Sequence, residues 1–142
     1  MKKVIIALMS GGMLFSCQKD VIISANTSIE KDGWELTFHD EFNEPELDWG
    51  KWMPFYSWAG RERENMLYVD SALTFQNGNI IIKADNEPAD GKAYTSGMIS
   101  SHLSMSQQYG YFEVRCKIPK GYGLWPAFWM MPTVGYPPEL DI

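Results

Sequence analysis

From Gly33 onward no apolar run in this chain keeps the 3.6-residue period of a helix. Hydrophobic residues come instead in short alternating stretches cut off by Gly, Pro, Asn and Asp. Such stretches make strands, and an all-β sandwich or barrel is the expected class. The sharpest local signal is Gln76-Asn77-Gly78-Asn79, which lies between the predicted strands Ala72–Phe75 and Ile80–Ala84. Asn-Gly readily takes positive φ, so a tight hairpin is predicted. Trp34–Phe38, Met66–Val69, Ala93–Ser101 and Tyr109–Ile118 are further predicted strands, with turns at Asn43-Glu44-Pro45 and across Asp85–Lys92.

At 142 residues the chain suits one domain, and 45% hydrophobic content is enough for a core. The aromatic share is high, with Trp 6, Tyr 7 and Phe 7. Flat aromatic faces stack on the apolar faces of sugar rings, although an aromatic-rich β core accounts for the same composition equally well. A formal net charge of −6, without clustered Lys and Arg, argues against nucleic acid or anionic lipid as partner. A neutral polymer fits better.

The N-terminus reads as an address. Met1-Lys2-Lys3 is basic, Val4–Phe15 is apolar, and Ser16 precedes Cys17. The apolar run is shorter than the ~20 residues a membrane-spanning helix needs. Leu14-Phe15-Ser16-Cys17 resembles a bacterial lipobox, which implies a signal peptide over residues 1–16 and lipidation of Cys17. Residues 17–32 are polar and of mixed charge, which suits a tether, and residues 33–142 form the domain. The expected location is the bacterial outer membrane or cell surface, with membrane contact only through the lipid anchor. The second cysteine, Cys116, alternates with Phe112, Val114 and Ile118 and reads as a small buried hydrophobe.

Loop residues supply further candidates. Tyr56-Ser-Trp58-Ala-Gly-Arg61-Glu-Arg-Glu-Asn65 mixes aromatics with side chains that hydrogen-bond hydroxyls, as cleft-lining loops do, though a solvated loop with its charges paired reads the same. Trp58 is the informative residue, since a tryptophan in a polar loop must either pack or bind. His39 reads as a structural hydrogen-bonding residue, and His102 carries no assigned chemistry. Neither histidine has a neighbour that would make a metal site.

The end of the chain holds the chemistry. In a strand Trp125, Ala127, Trp129 and Met131 share one face, which would be wide and flat. Pro132–Pro137 is turn-rich, so the chain is expected to double back, placing Glu139 and Asp141 on one face of the next strand. Glycoside hydrolysis uses two carboxyl groups, about 5–5.5 Å apart when configuration is retained. Strand neighbours two apart lie roughly 6.5–7 Å apart at the backbone, so Glu139 and Asp141 read as members of a row whose next inward position would be 143 or 144.

Trp34-Glu-Leu-Thr-Phe-His-Asp-Glu-Phe42, Tyr109-Gly-Tyr-Phe-Glu-Val-Arg115, Gly123-Leu-Trp-Pro-Ala-Phe-Trp-Met-Met-Pro132 and Glu139-Leu-Asp-Ile142 together resemble glycoside hydrolase family 16, which includes laminarinases, lichenases, agarases and carrageenases. The resemblance implies a concanavalin-like β-jelly-roll sandwich, of which this chain would hold the N-terminal half. It implies Glu139 as nucleophile and Asp141 as its helper. Trp125 and Trp129 would form a sugar platform, and Asn65, with Trp58 and Arg61 in the same loop, would contact substrate. Glu64 and Met66 depart from the family's usual Asn-Asn-Glu pattern around Asn65. The family's second glutamate, its acid/base, would fall at 143 or 144, so the chain as given is expected to be an inactive fragment. No cofactor is required, and a structural calcium is admitted by family analogy alone.

The expected activity is a retaining endo-glycosidase on β-1,3- or β-1,3-1,4-glucan, a monomer at full length. Alternatives are a non-catalytic surface glycan-binding lipoprotein, a family 16 enzyme acting on agar- or carrageenan-type galactans, and a module completed by a partner.

Overall fold

The computed structural model describes residues 3–6, 31–56 and 58–142. Cys17, the Leu14–Cys17 lipobox and the tether up to residue 30 lie outside the described residues. Among the described residues the fold is all-β: β1 (Lys3–Ile6), β2 (Met66–Tyr68), β3 (Leu73–Phe75), β4 (Ile80–Ile82), β5 (Ala84–Asp85), β6 (Tyr94–Ser96), β7 (Glu113–Cys116), β8 (Trp129–Met130) and β9 (Leu140–Asp141), with one 3-10 turn at Asp70–Ala72. The strands form a four-stranded sheet in the order β3-β4-β1-β7, a three-stranded sheet β2-β6-β5 and a hairpin pair β8-β9. These sheets are those of a jelly-roll sandwich fragment.

The predicted hairpin is present. Leu73, Thr74 and Phe75 pair antiparallel with Ile82, Ile81 and Ile80. Asn77 and Gly78 take φ of 52° and 67°, and Gln76 and Asn79 exchange backbone hydrogen bonds of 2.9 and 3.1 Å. That is the two-residue turn whose twist matches the flanking strands. A Cβ at Gly78 would meet the Asn43 Oδ1 at 3.0 Å, so glycine serves both the φ and the close approach. Asp90 and Gly91, at φ of 47° and 76°, close a second turn between Ala89 and Lys92.

β1 runs parallel to β7, from Lys3 opposite Glu113 to Ile6 opposite Cys116, and meets β4 at Ile80. The start of the apolar run from Val4 is therefore sheet-paired. Among the described residues no helix is long and apolar enough to cross a membrane.

Phe42, Leu47, Trp52 and Ile80 form the buried core, with Phe38, Leu73, Phe75, Ile82, Ile99 and Val114 packed around it. Trp52 takes Phe38 edge-on at 5.2 Å and stacks on Phe42 at 6.0 Å. Asp40 is buried beneath these rings. Its Oδ1 accepts the Phe42 backbone N–H at 2.8 Å and its Oδ2 accepts the Trp52 indole N–H at 2.8 Å. Phe42 sits at φ of 49°, a costly conformation for a bulky residue, and the Asp40 bond holds it there.

Several expectations are corrected. Trp34–Phe38 forms no strand: Trp34 only bridges Lys31, and although Leu36 and Phe38 turn inward in alternation with exposed Glu35 and Thr37, no described strand pairs with them. His39 is exposed and has no hydrogen-bond partner among the described residues; its neighbour Asp40 does the structural work. Tyr109–Ile118 shortens to Glu113–Cys116. Cys116 is exposed, not buried, because the packing that covers Val114 does not reach the far end of its face, where Ile118 is also 56% exposed.

Candidate active site

The turn-rich Pro132–Pro137 segment brings β9 back along β8. Trp129 lies opposite Asp141 and Met130 opposite Leu140, and the Ile142 N–H extends the pairing to the Phe128 carbonyl at 2.9 Å. Directly opposed residues of an antiparallel pair project to the same face, so Asp141 lies on the Trp129 face. Glu139, two residues earlier, lies just before β9. Both carboxylates are exposed.

No ring contact joins Trp129 to Trp125 among the described residues. Trp125 is 90% exposed and lies in an unpaired segment, because pairing with β9 begins only at the end of the predicted strand. The partners of Trp129 come from the loop before β2. Its ring lies 5.9 Å from Tyr56 and 6.5 Å from Trp58, the latter nearly perpendicular at 87°. Tyr56 and Trp58 are themselves 4.8 Å apart, and His102 meets Trp58 edge-on at 6.3 Å. The result is an aromatic wall of Tyr56, Trp58 and Trp129, half-buried at Trp129 and open at Trp58, with His102 at its end.

Of the other expected contacts, Arg61 is committed elsewhere. Its guanidinium donates to Asp70 Oδ1 at 2.6 Å and to the Tyr68 carbonyl at 3.3 Å. Arg63 takes the place beside the wall, 3.8 Å above the Tyr56 ring. Asn65 is exposed, and its backbone carbonyl accepts the Ala93 and Tyr94 N–H groups at 3.1 Å each, which fixes the loop against β6.

Tyr56 and His102 were not singled out by the sequence reading. Tyr56 had a usable signal, two residues before Trp58 in an extended loop; His102 had none, because its closeness to Trp58 spans more than forty positions of chain.

Two hydroxyls carry the local electrostatics. Burial, with Tyr56 beside it, pushes the Tyr68 hydroxyl up to about 12. The Glu139 carboxylate raises the Tyr136 hydroxyl above its ordinary value, first by its charge and then by accepting a hydrogen bond from it, and Asp141 adds to the effect. Among the described residues no group of three His, Cys, Asp or Glu side chains could hold a metal ion.

An aromatic wall with carboxylates on one adjoining face can stack a sugar ring and offer a carboxylate to its anomeric carbon. The comparisons agree with this chemistry. The family model described as beta-glucan synthesis-associated protein SKN1/KRE6/Sbg1 matches residues 14–139. The chain is 33% identical over 141 residues to endo-1,3-1,4-beta-glycanase ExsH of Rhizobium meliloti, covering 81% of this chain and 30% of that protein. It is 36% identical over 132 residues to endo-1,3-1,4-beta-glycanase EglC of the same organism, covering 75% and 28%. It is 33% identical over 117 residues to the beta-glucanase of Rhodothermus marinus, covering 78% and 41%. The chain thus spans well under half the length of these relatives. No solved structure gives a significant match. With a model match over most of its length, the chain belongs to the glucanase-like proteins related to glycoside hydrolase family 16, the group that contains SKN1, KRE6 and Sbg1.

Proposed function

We propose that the whole protein is a retaining endo-glycosidase that hydrolyses β-1,3- or mixed-linkage β-1,3-1,4-glucan. The observation that carries this reading is the register of β8 and β9, which sets Asp141 opposite Trp129, with Glu139 just before β9. Glu139 attacks the anomeric carbon and Asp141 orients it. A second carboxyl group of the whole protein protonates the departing oxygen and then activates water. The name of the R. marinus relative, beta-glucanase, supports the choice of glucan, and the names of the R. meliloti relatives support a 1,3-1,4-β linkage.

The test is release of reducing ends from a panel of β-1,3-glucan, mixed-linkage glucan, agar and carrageenan. Glucan cleavage is expected, and activity confined to the galactans would overturn the substrate class. Trp129→Ala is expected to raise KM for glucan about tenfold, the loss of one stacking surface, while the melting temperature falls only a few degrees. An unchanged KM would remove Trp129 from the binding surface.

A second reading has one observation in its favour, since the matching family model is described by β-glucan synthesis. On that reading the protein binds glucan without cleaving it, and Glu139 has no part in turnover.

We also infer that the protein is exported and lipid-anchored at Cys17, as the Leu14-Phe15-Ser16-Cys17 pattern supports; cleavage before Cys17 would remove β1 and leave β4 and β7 without the strand between them. Cys17→Ser is expected to move it from the membrane fraction to the soluble fraction of its bacterial host. Membrane association that survives the change would refute the anchor.

A further inference from the structure

Away from the aromatic wall, a cleft of about 400 Å³ opens along β3, an edge strand of the larger sheet. Its floor is apolar, built from buried Leu47 and half-buried Phe75. Trp49, Glu46, Asp70 and Thr74 also line it. Its volume lies in the ordinary range of small-ligand clefts, and none of its residues belongs to the Tyr56, Trp58 and Trp129 wall.

Trp49 is the unusual member. Trp52, three residues on, is 8% exposed and spends its indole N–H on Asp40, whereas Trp49 is 61% exposed and has no ring contact or hydrogen bond among the described residues. A large aromatic left in solvent beside a cleft points to a ligand for its flat face.

Two carboxylates beside it keep open acceptor oxygens among the described residues. Glu46 has no partner among the described residues, and Asp70 gives only Oδ1 to Arg61, leaving Oδ2 open. The edge strand adds a backbone pair. Because Gln76 and Asn79 exchange hydrogen bonds, the next pair, Phe75 and Ile80, does not, and the Phe75 N–H and carbonyl face outward.

A flat aromatic face, an apolar floor and uncommitted carboxylate acceptors are the recognition set of a neutral polyhydroxylated ring. The free carboxylates and the net charge of −6 disfavour an anionic ligand. A peptide strand is poorly served, since three residues of β3 offer few outward backbone groups.

We propose that this cleft is a second, non-catalytic saccharide site that holds a neutral glucan segment on Trp49, with Glu46 and Asp70 accepting from its hydroxyls. The identity of the glycan rests on the glycosidase reading; the site itself does not.

The experiment is affinity electrophoresis of the whole protein in native gels containing soluble mixed-linkage β-glucan. Glu139→Gln is present throughout, so that the polymer stays intact. Trp49→Ala is expected to weaken retention about tenfold, Trp49→Phe to keep most of it, and Glu46→Gln to lose part of it. In the enzyme with Glu139 restored, Trp49→Ala should raise KM on polymer and leave kcat/KM on short soluble oligosaccharides unchanged. Equal retention of Trp49→Ala and its parent, with both folded by circular dichroism, would overturn the site. If Trp49→Ala does not fold, the Glu46→Gln arm decides in the same way. Should the unaltered protein cleave no glucan while retention still depends on Trp49, the glycosidase reading fails and the cleft stands.

Discussion

Glu139→Ala in the whole enzyme is expected to lower glucan turnover on the order of 10⁴-fold, the scale seen when a group forming a covalent intermediate is removed. The geometry explains why the loss should fall on kcat. Glu139 is exposed two residues before Asp141, which pairs opposite Trp129, and it raises the Tyr136 hydroxyl above its ordinary value. Sugar stacking on the aromatic wall does not need the carboxylate, so KM should move little and Glu139→Gln should still bind glucan. A small external nucleophile such as azide, fitting the space left in Glu139→Ala, should restore part of the turnover. A purely structural role would not respond to it. Activity within about tenfold of normal in either variant would refute the nucleophile assignment and favour the non-hydrolytic reading.

Asp40→Ala is expected to destabilise the protein by about 3–5 kcal/mol, a large part of the stability of an ordinary domain. Two losses contribute to that figure. The Trp52 indole N–H, buried in the core, is left without an acceptor, and the left-handed turn at Phe42 loses the bond that holds it. Phe42 and Trp52 stack on each other, so both losses loosen one ring pair. Lys51, 3.8 Å from Asp40 Oδ2 and one-third exposed, contributes little by comparison. Asp40→Asn keeps one acceptor oxygen but turns an amide N–H₂ toward the other donor, so an intermediate loss is expected. Urea unfolding of the whole protein followed by tryptophan fluorescence measures both. A shift below about 1 kcal/mol for the alanine variant would show that the core tolerates an unpaired indole.

How far the sequence could be read depended on how local each feature was. The Asn77-Gly78 turn was legible because its two backbone angles are preferences of those two residues, and its register follows from the turn. The doubling back at Pro132–Pro137 was legible for the same reason. It set the expectation that the chain doubles back into a strand bearing the carboxylates, and the pairing of Trp129 with Asp141 shows that return. Alternation, in contrast, predicted facing but not pairing. Trp34–Phe38 keeps an inward and outward rhythm with no ladder, since period two reports burial while a strand also requires a neighbour. Cys116 shows the converse: its strand exists, yet nothing among the described residues covers its end.

The candidate site divides along the same line. Sequence by itself determined the β class, the two tight turns and the doubling back of the chain before Asp141, because each rests on angles or spacings within a few residues. Only the tertiary structure decided that the partner of Trp129 is the Tyr56–Trp58 loop and not Trp125, that Arg61 is spent on Asp70, and that Asp40, not His39, anchors the core. Those contacts join residues distant along the chain or depend on which neighbour wins a shared partner. They are settled by packing, for which no local period leaves a mark.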